Sequence, residues 1–504
     1  MIDIVIAPPP TSGRIHIATL TARQSISLRE LHDRAGRVAG YLRAIGLGPG
    51  DRIGILAANR LEWVLLDLAA LRLGIQTAAL EPGKFTPSAE LLARYGLRAL
   101  FTDIPVDTPG VWPIGDIEKL CGGVEPEVPP AVRYATDDVI TIKFTSGSTG
   151  IPKGLGATAG SVASSMAAVQ QLFAHGPGDN LLIFLPLSLL QQRYWIYSAL
   201  AHGHDVTICT HTSVFAVMAS IRPTGVMGVP AFFEAARREI EELAATSDST
   251  GDAALRTAAN SVFGDRIRYL WTGSAPAGRT LLDFYEAVGL PLFEGYGLNE
   301  TCIVAKNHPG AVRAGSVGKV LPGKEVRIDD EGVVRVRAEY PVSRGYLYAE
   351  PGATQQVFEA DGTVITGDLG RLDADGYLYI LGRADDTIIL GNGRKIVARA
   401  IEENLTNAGT GIAACVLYCR AEVELVAVAS PAAMPADIAA LTAQLARANL
   451  AARPDERISR LVVAEEPFTI DNALLTSQYK PRRQRVIARY RTALDDPQEG
   501  IHAP

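Results

Sequence analysis

Two spacings of apolar residues alternate along the first 300 positions of the chain. Between residues 28 and 45 they recur at helical spacing, which predicts an amphipathic helix. RIGILAA (52–58) is a short apolar run typical of a buried strand, LEWVLLDLAALRLG (61–74) predicts a second helix, and IQTAAL (75–80) a second strand. This alternation predicts βαβ units on a mostly parallel, buried sheet.

The pattern changes after about residue 310, where short strands with turns follow one another in 314–337 and 361–383. From about residue 385 helical and strand-like runs mix again. We therefore predict an α/β protein with a large N-terminal domain (1–384), which ends in a β-rich subdomain (about 310–384), and a small, mobile α+β C-terminal domain (385–504). The last ten residues, DDPQEGIHAP, are expected to be frayed.

Composition narrows the class of protein. A chain of 504 residues exceeds the size at which one core usually splits, and 47% hydrophobic with 20% charged residues is ordinary for a globular enzyme. A net charge of −7 argues against a general nucleic-acid surface and favours small-molecule partners. The five cysteines lack metal-like spacing, which favours reduced thiols.

No targeting or membrane-spanning segment is expected. The N-terminus has no basic region ahead of an apolar core, as a secretory signal would. The longest apolar run, LLIFLPLSLL (181–190), is too short to span a bilayer and contains Pro186. Both observations favour a cytoplasmic location.

The stretch FTSGSTGIPKG (144–154) carries the strongest chemical signal. Glycines let backbone N–H groups approach an anion, Ser and Thr add hydroxyl donors, and Lys153 adds a positive charge. A Walker loop is excluded because Pro152 stands five positions after Gly147, where that loop has glycine. The apolar run 139–144 before it and a helical run at 161–173 after it predict a strand, a phosphate-binding loop and a helix in that order.

Four further motifs follow it: WTGSAPAG (271–278), EGYGLNET (294–301), TGDLGRLDADGYLYILGRADD (366–386) and LLTSQYKPRR (474–483). In this order the five motifs resemble the adenylate-forming superfamily of acyl-CoA synthetases, luciferases and peptide-synthetase adenylation domains. The C-terminal pattern and GSVGKVLPGKEVRI (315–328) are most similar to the long-chain acyl-CoA synthetase branch. The resemblance implies adenylation of an acid by ATP and Mg²⁺ with release of pyrophosphate, followed by thioester formation with CoA.

The resemblance also implies roles for individual residues. Glu300 would hold Mg²⁺, and Asn299, which stands where relatives commonly have Thr, would donate to the α-phosphate. Asp368 would accept from the ribose hydroxyls, and Arg383 would lie near ribose and phosphate. Residues that would hold the β- and γ-phosphates are Thr145, Ser146, Gly147, Ser148, Thr149, Gly150 and Lys153. The adenine pocket would comprise Tyr296, Gly297, Gly273, Ser274 and Ala275.

The C-terminal domain would complete the catalytic site. Lys480 matches the catalytic lysine of the superfamily, although Tyr479 replaces the glycine that frequently precedes it. Asp385 matches the hinge on which the small domain rotates, and Gly393 and Arg394 would lie on the side used for thioester formation. Taken singly, Tyr296 as a core aromatic and Asp368 as one of several turn aspartates are the simpler interpretations. For Lys480, which stands in the basic cluster QYKPRRQR, a solvated charge is a serious alternative.

The acid itself is not identified by the motifs. LPLSLLQQRYW (185–195) departs from the pattern of relatives, and its Gln191, Gln192, Arg193 and Trp195 either orient a polar or very small acid or simply cover a helix surface. Alternatives to a CoA ligase are an enzyme that loads an acyl carrier protein and one that activates an unusual acid such as nitrite in secondary metabolism. A non-enzymatic ATP-binding module is a further alternative, but it would need neither Lys480 nor Glu300.

Overall fold

The computed structural model describes residues 2–126, 132–145, 152–247, 251–476 and 479–503. Its strands are β1 (Arg14–Ala18), β2 (Arg23–Ser27), β3 (Arg52–Leu56), β4 (Gln76–Leu80), β5 (Ala99–Thr102), β6 (Val111–Pro113), β7 (Val139–Thr145), β8 (Lys153–Thr158), β9 (Asn180–Ile183), β10 (Asp205–Ile208), β11 (Gly225–Gly228), β12 (Tyr269–Thr272), β13 (Leu292–Leu298), β14 (Cys302–Lys306), β15 (Lys319–Val320), β16 (Lys324–Ile328), β17 (Val333–Ala338), β18 (Val364–Leu372), β19 (Leu378–Arg383), β20 (Thr387–Ile389), β21 (Lys395–Val397), β22 (Ile412–Arg420), β23 (Glu424–Pro431), β24 (Arg460–Val463) and β25 (Ile501–His502).

Helices connect most of these strands. They are α1 (Asp3–Ile6), α2 (Leu28–Ala44), α3 (Leu61–Leu73), α4 (Ala89–Tyr95), α5 (Ile117–Leu120), α6 (Ala159–Phe173), α7 (Leu190–His202), α8 (Val214–Ile221), α9 (Pro230–Ala245), α10 (Gly251–Phe263), α11 (Arg279–Ala287), α12 (Ala398–Asn407), α13 (Ile438–Ala451), α14 (Arg483–Arg489) and α15 (Arg491–Asp495). Within the described ranges, none of them combines the length and the apolar content that crossing a membrane requires.

Local signals explain where the predicted helices begin and end. Ser27 caps α2 by accepting from the backbone N–H of Glu30 at 3.0 Å. Gly74 ends α3 in the left-handed conformation, at φ 69°. The apolar face of α2 is buried, whereas α3 is buried almost all round because it lies inside the core.

Two large sheets form the N-terminal part of the chain. One has six strands in the order β6-β5-β3-β4-β7-β8, and the other has nine in the order β15-β14-β13-β12-β11-β9-β10-β1-β2. Pairing is parallel except at β7–β8 in the first sheet and at β1–β2, β13–β14 and β14–β15 in the second. The α/β class with a mostly parallel layered domain is therefore confirmed.

The β-rich stretch forms an antiparallel four-stranded sheet, β16-β17-β18-β19, over Lys324–Arg383. Beyond it, β20 pairs with β21, and β22-β23-β24-β25 form a separate sheet next to α12 and α13. No described strand after residue 387 joins a sheet of the earlier part. This order agrees with the predicted division at 384/385, which stays a prediction.

Two local expectations are wrong. The phosphate-binding motif joins two antiparallel strands, because Thr145 at the end of β7 pairs with Lys153 at the start of β8, and α6 begins only after β8. β8 therefore stands between the motif and α6, so the motif does not lead directly into a helix N-terminus. The C-terminal tail is not frayed throughout, since Ile501 and His502 pair with Leu461 and Arg460 and satisfy the free edge of β24.

Candidate active site

A cavity of about 510 Å³ opens at the carboxyl ends of β11, β12 and β13. This edge is where open parallel sheets usually bind ligands, because the connecting loops diverge there. Among the predicted nucleotide and acid residues, those that line the cavity are Gly273, Ser274, Tyr296, Gly297, Gln191 and Gln192. Its lining also includes residues not predicted from sequence, among them Met227, Val229, Trp271 and Ile303.

Tyr296, Asp368 and Arg383 form one hydrogen-bonded group. The Tyr296 hydroxyl donates to Asp368 Oδ2 at 2.5 Å, and Arg383 Nη1 donates to Asp368 Oδ1 at 3.2 Å. Burial, together with the Asp368 carboxylate, raises the pKa of the Tyr296 phenol. The arrangement leaves the Tyr296 ring as a cavity wall and keeps a carboxylate at its polar end, as an adenosine group requires.

Gly297 explains why the backbone can come so close at this point. A Cβ atom there would lie 2.0 Å from the carbonyl oxygen of Cys302, at the turn between β13 and β14. Any side chain would therefore push the hairpin apart. The glycine therefore keeps the hairpin tight between Tyr296 on β13 and Glu300 in the turn before β14.

Lys153 and Glu300 meet through a residue that the sequence reasoning missed. The ammonium group of Lys153 lies 5.0 Å from the centre of the Tyr346 ring, and the Tyr346 hydroxyl donates to Glu300 Oε1 at 2.7 Å. Tyr346 thus holds the predicted phosphate-binding cation beside the predicted metal-binding carboxylate. Its only sequence signal is an aromatic residue in SRGYLYAE (343–350), which lies in none of the recognised motifs.

Part of the phosphate loop cannot be placed in this way. Ser146, Gly147, Ser148, Thr149 and Gly150 lie outside the described residues. The other two predicted residues of the loop are half-buried: Thr145 is the last residue of β7, and Lys153 is the first residue of β8.

Lys480 reaches the nucleotide side of the site from the C-terminal part of the chain. Burial lowers the pKa of its ammonium group, the charge of Asp368 opposes this shift, and Arg383 and Arg399 add to it. Asp368 and Arg383, two members of the hydrogen-bonded group described above, are thus among the charges that act on Lys480. Its backbone is held by Thr476, which accepts from the Lys480 N–H at 3.1 Å.

Tyr479 contacts both parts of the molecule. Its hydroxyl hydrogen-bonds the His211 ring nitrogen Nε2, the two rings lie 5.3 Å apart, and burial lowers the pKa of His211. The ring packs against the core around Phe184 and Val214 and also against the C-terminal core around Val462. Tyr479 therefore fastens the segment that carries Lys480 to the loop after β10.

A second, smaller cavity of about 280 Å³ lies beside the first and shares Gln191, Met227, Trp271 and Ile303 with it. Trp195, predicted as an acid-pocket residue, lines this smaller cavity. The smaller cavity is thus an apolar chamber next to the nucleotide wall, by which we mean the part of the larger cavity lined by Gly273, Ser274, Tyr296 and Gly297. Its remaining lining residues, Val169 and Tyr194, were not predicted.

Arg193 is a correction to the predicted acid pocket. Its side chain is fully buried and lines neither cavity; its Nη1 donates to Asp67 Oδ1 at 2.9 Å and its Nη2 to Thr141 Oγ1 at 3.1 Å. Neighbouring residues of a helix point about 100° apart, so Gln192 and Arg193 face different surroundings. Arg193 ties α7 to α3 and β7.

The other predicted residues line neither of the two cavities. Asn299 is exposed in the turn after β13, and Ala275 is half-buried in the loop after β12 but does not line either cavity. The exposed Asp385 carboxylate accepts from Arg383 Nε at 3.2 Å, beside the predicted hinge. Gly393 is exposed, and Arg394 is held by Asp455 and Glu456 of the C-terminal part.

The donor set suits Mg²⁺ bound together with phosphate. In the part of the chain that the structure describes, no group of three or more His, Cys, Asp or Glu side chains could hold a metal by itself. Mg²⁺ usually keeps several waters and takes one or two carboxylates plus substrate phosphates. Glu300, held by Tyr346 next to Lys153, fits this pattern.

Comparisons with known proteins agree with the geometry. Residues 11–350 match the model of the family described as AMP-binding enzyme. The long-chain-fatty-acid–CoA ligase FadD15 of Mycobacterium bovis is 29% identical over 90% of this chain and 89% of its own length. The 2-succinylbenzoate–CoA ligase of Bacillus subtilis strain 168 is also 29% identical, over 77% of this chain and 79% of its own.

A solved structure has the same fold. O-succinylbenzoate CoA synthetase (MenE) from Bacillus subtilis, in complex with the acyl-adenylate OSB-AMP, superposes with a TM-score of 0.76 at 22% identity, covering 99% of this chain and 98% of that one. The same enzyme with ATP and a magnesium ion superposes with a TM-score of 0.75 at 22% identity, covering 96% of this chain and 98% of that one. The five ordered motifs, the cavity at the strand ends and the match over 11–350 lead to one conclusion: the chain belongs to the AMP-binding enzyme family.

Proposed function

We propose that this enzyme activates a carboxylic acid with ATP to an acyl-adenylate and then transfers the acyl group to CoA. The observation that carries the proposal is the hydrogen-bonded group of Tyr296, Asp368 and Arg383 at the wall of the cavity. The lowered pKa of Lys480, which burial causes and to which the charges of Asp368 and Arg383 contribute, supports it. A cavity wall of Tyr296 and a carboxylate beside Lys153 support the same conclusion.

In the first step a carboxylate oxygen of the acid attacks the α-phosphorus of ATP, and the bond to the β-phosphate oxygen breaks to release pyrophosphate. Lys153 and the Gly-rich loop would hold the departing phosphates, with Glu300 and Tyr346 on the same side. The magnesium ion, when bound, neutralises phosphate charge during this displacement. Lys480 would donate to the α-phosphate oxygens, where charge develops.

In the second step the thiolate of CoA attacks the acyl carbon, the thioester bond forms, and AMP leaves with the electron pair of the anhydride oxygen. CoA as acceptor is supported by the two relatives above, both named as CoA ligases. Binding and orientation of the adenylate by Tyr296 and Asp368 would serve both steps. The face of the C-terminal part that carries Gly393 and Arg394 would serve only the second step.

Pyrophosphate release and AMP formation test the proposal directly. Purified protein with ATP, Mg²⁺ and a panel of acids is expected to form AMP and pyrophosphate, and an acyl-CoA when CoA is added. Formation of ADP and phosphate with every acid would exclude adenylation. Transfer to a carrier-protein thiol but never to CoA would keep adenylation and replace the acceptor.

Lys480→Ala separates the two half-reactions. A preorganised donor at developing charge contributes about 3 kcal/mol, so adenylate formation should fall about a hundredfold or more. ATP binding should change little, because the loop after β7, Tyr296 and Asp368 remain in place. Transfer from pre-made adenylate to CoA should be retained, and equal losses in both steps would point to a structural role for Lys480.

A further inference from the structure

We propose that the acid is compact and aromatic, of about one ring, and that it carries an N–H or O–H group which donates to Gln192. The inference rests on the proposed adenylation and names its substrate class. A preference for such an acid would distinguish this chain from relatives that are named as long-chain-fatty-acid ligases.

The smaller cavity is the chamber that such an acid would occupy. It adjoins the larger cavity at four shared residues, so an acid held there can present its carboxylate towards the nucleotide wall. Its open space of about 280 Å³, part of which is continuous with solvent, is smaller than the 510 Å³ of the larger cavity. Besides Gln191, its lining is apolar or aromatic: Val169, Tyr194, Trp195, Met227, Trp271 and Ile303.

The aromatic walls suit a flat ring. The rings of Trp195 and Trp271 lie 5.6 Å apart at 78° and form a right-angled corner. A ring placed in this corner meets one indole with its face and the other with its edge, both of which are favourable aromatic geometries.

The three aromatic walls, Tyr194, Trp195 and Trp271, are backed by packed groups, which disfavours their opening into a tunnel for a long acyl chain. His175 lies behind Trp195 at 5.3 Å between ring centres, and Lys306 Nζ lies 4.0 Å from the Trp271 ring centre. The Tyr194 hydroxyl is 3.1 Å from Cys302 Sγ. Protein interiors are close-packed, so moving any of these rings would require its neighbours to move too.

Gln192 supplies the polar part of the inference. It lines the larger cavity and is only 1% exposed, and its Oε1 has no hydrogen-bond partner in the described part of the chain. Buried carbonyl oxygens are nearly always paired, since a missing bond costs their desolvation. A donor on the bound acid would satisfy this oxygen.

ATP–pyrophosphate exchange with the full-length protein tests the substrate class. The panel comprises benzoate and cinnamate, their amino- and hydroxy-substituted forms, octanoate and palmitate. We expect a substituted aromatic acid to exceed its unsubstituted parent by about tenfold or more in kcat/KM, and palmitate by a larger factor. Exchange confined to octanoate or palmitate, or equal rates with parent and substituted acids, would overturn the inference while leaving adenylation intact.

Gln192→Leu removes the acceptor at similar volume. The preference for the substituted acid should fall to about one, because the apolar side chain no longer penalises a missing donor. Gln191→Leu is the matched variant one position away; if it alone abolishes the preference, Gln192 is not the acceptor. Binding of the acids, followed by quenching of Trp fluorescence, provides a readout independent of turnover. No exchange with any acid would overturn the proposed function and this inference with it.

Discussion

One hydrogen bond, from Tyr346 to Glu300, orients the carboxylate that we propose as the protein's ligand to Mg²⁺. The Tyr346 hydroxyl donates to Glu300 Oε1 at 2.7 Å, which fixes the carboxylate next to Lys153 before any phosphate is bound. Groups that orient a metal ligand typically contribute a factor of about 10–100 to metal affinity or activity. The hydroxyl of Tyr346 is therefore expected to matter separately from its ring.

Glu300→Gln keeps the shape of the side chain and removes its charge. Turnover at a fixed, low Mg²⁺ concentration should fall about a hundredfold or more, because the metal loses its protein carboxylate. Tyr346→Phe should raise the Mg²⁺ concentration required for half-maximal rate by about tenfold. Mg²⁺ titrations of the initial rate measure both effects, and circular dichroism confirms folding.

The control for this series is Glu325→Gln, which changes an exposed carboxylate paired with Arg327. Its Mg²⁺ dependence should match that of the parent protein. An unchanged Mg²⁺ dependence in Glu300→Gln would instead place the metal on another residue.

His175 and His204 make the fold sensitive to acid. Burial lowers the pKa of His175 to about 3 and that of His204 to about 4, and their rings lie 5.5 Å apart beside the aromatic wall of the small cavity. The unfolded chain binds protons at these residues below about pH 6.5, whereas the native state does not. Stability is thus present above pH 6.5 and is lost as the pH falls towards 4.

The expected loss is about 1.4 kcal/mol per pH unit for each histidine within that window. Urea unfolding at pH 7, 6 and 5 measures it, and the double variant His175→Gln/His204→Gln should show a correspondingly smaller pH slope. Burial raises the pKa of Glu294 to about 7, so its contribution to the pH dependence of stability has the opposite sign. Because Glu294 is present in both the parent protein and the double variant, it does not affect the difference between their slopes. Identical slopes would mean that both histidines are protonated in the native state.

At the scale of elements, the segment between β24 and α14 determines where Lys480, the proposed catalytic lysine, lies. Tyr479 adopts a left-handed backbone at φ 59° and hydrogen-bonds His211, which places the next residue, Lys480, towards Asp368. Non-glycine residues in this region are strained unless their surroundings hold them. The contact with His211 supplies that hold.

Tyr479→Ala should slow adenylate formation by about tenfold or more, because the lysine loses its positioning contact, and leave transfer from pre-made adenylate unaffected. Single-turnover measurements of the two half-reactions test this. His211→Ala should show the same split. Tyr418→Phe removes a tyrosine hydroxyl that donates to Asp495 within the C-terminal part and should change neither step.

At the scale of the whole molecule, Arg193 joins the two large sheets. It lies on α7, next to the nine-stranded sheet, and its guanidinium reaches Asp67 on α3 and Thr141 on β7 of the six-stranded sheet. Asp67 also accepts from Tyr197 and Thr77. The ion pair thus lies in a hydrogen-bonded network inside the interface between the layers.

Arg193→Met should lower the free energy of unfolding by about 3–5 kcal/mol, since it leaves the Asp67 carboxylate buried without its cation. Thermal and urea unfolding measure the loss. Arg193→Met combined with Asp67→Leu should recover part of it, because both charges are then absent. If Arg193→Met left the stability unchanged and altered the preference among acids, Arg193 would instead belong to the acid pocket.

The sequence by itself determined the architecture and the order of the chemical motifs. The alternation of helix-like and strand-like spacings of apolar residues predicted parallel layers. It could do so because the spacing of apolar residues within a short segment indicates both the type of element and the face that it buries. The motifs around Tyr296, Asp368 and Lys480 predicted the nucleotide site because each is a short run of residues whose order is tied to local backbone geometry. Gly297 is one example, since a side chain there would collide with the carbonyl oxygen of Cys302.

Tertiary structure alone decided which side chains meet. Gln192 and Arg193 are adjacent in sequence, yet one lines the cavity and the other crosses to the second sheet, since the packing of α7 sets which direction is inward. Tyr346 belongs to no motif and still connects Lys153 with Glu300, although Tyr346 and Glu300 are 46 residues apart in the chain. Such contacts depend on how whole layers pack together, and a one-dimensional pattern of residue types does not contain that information.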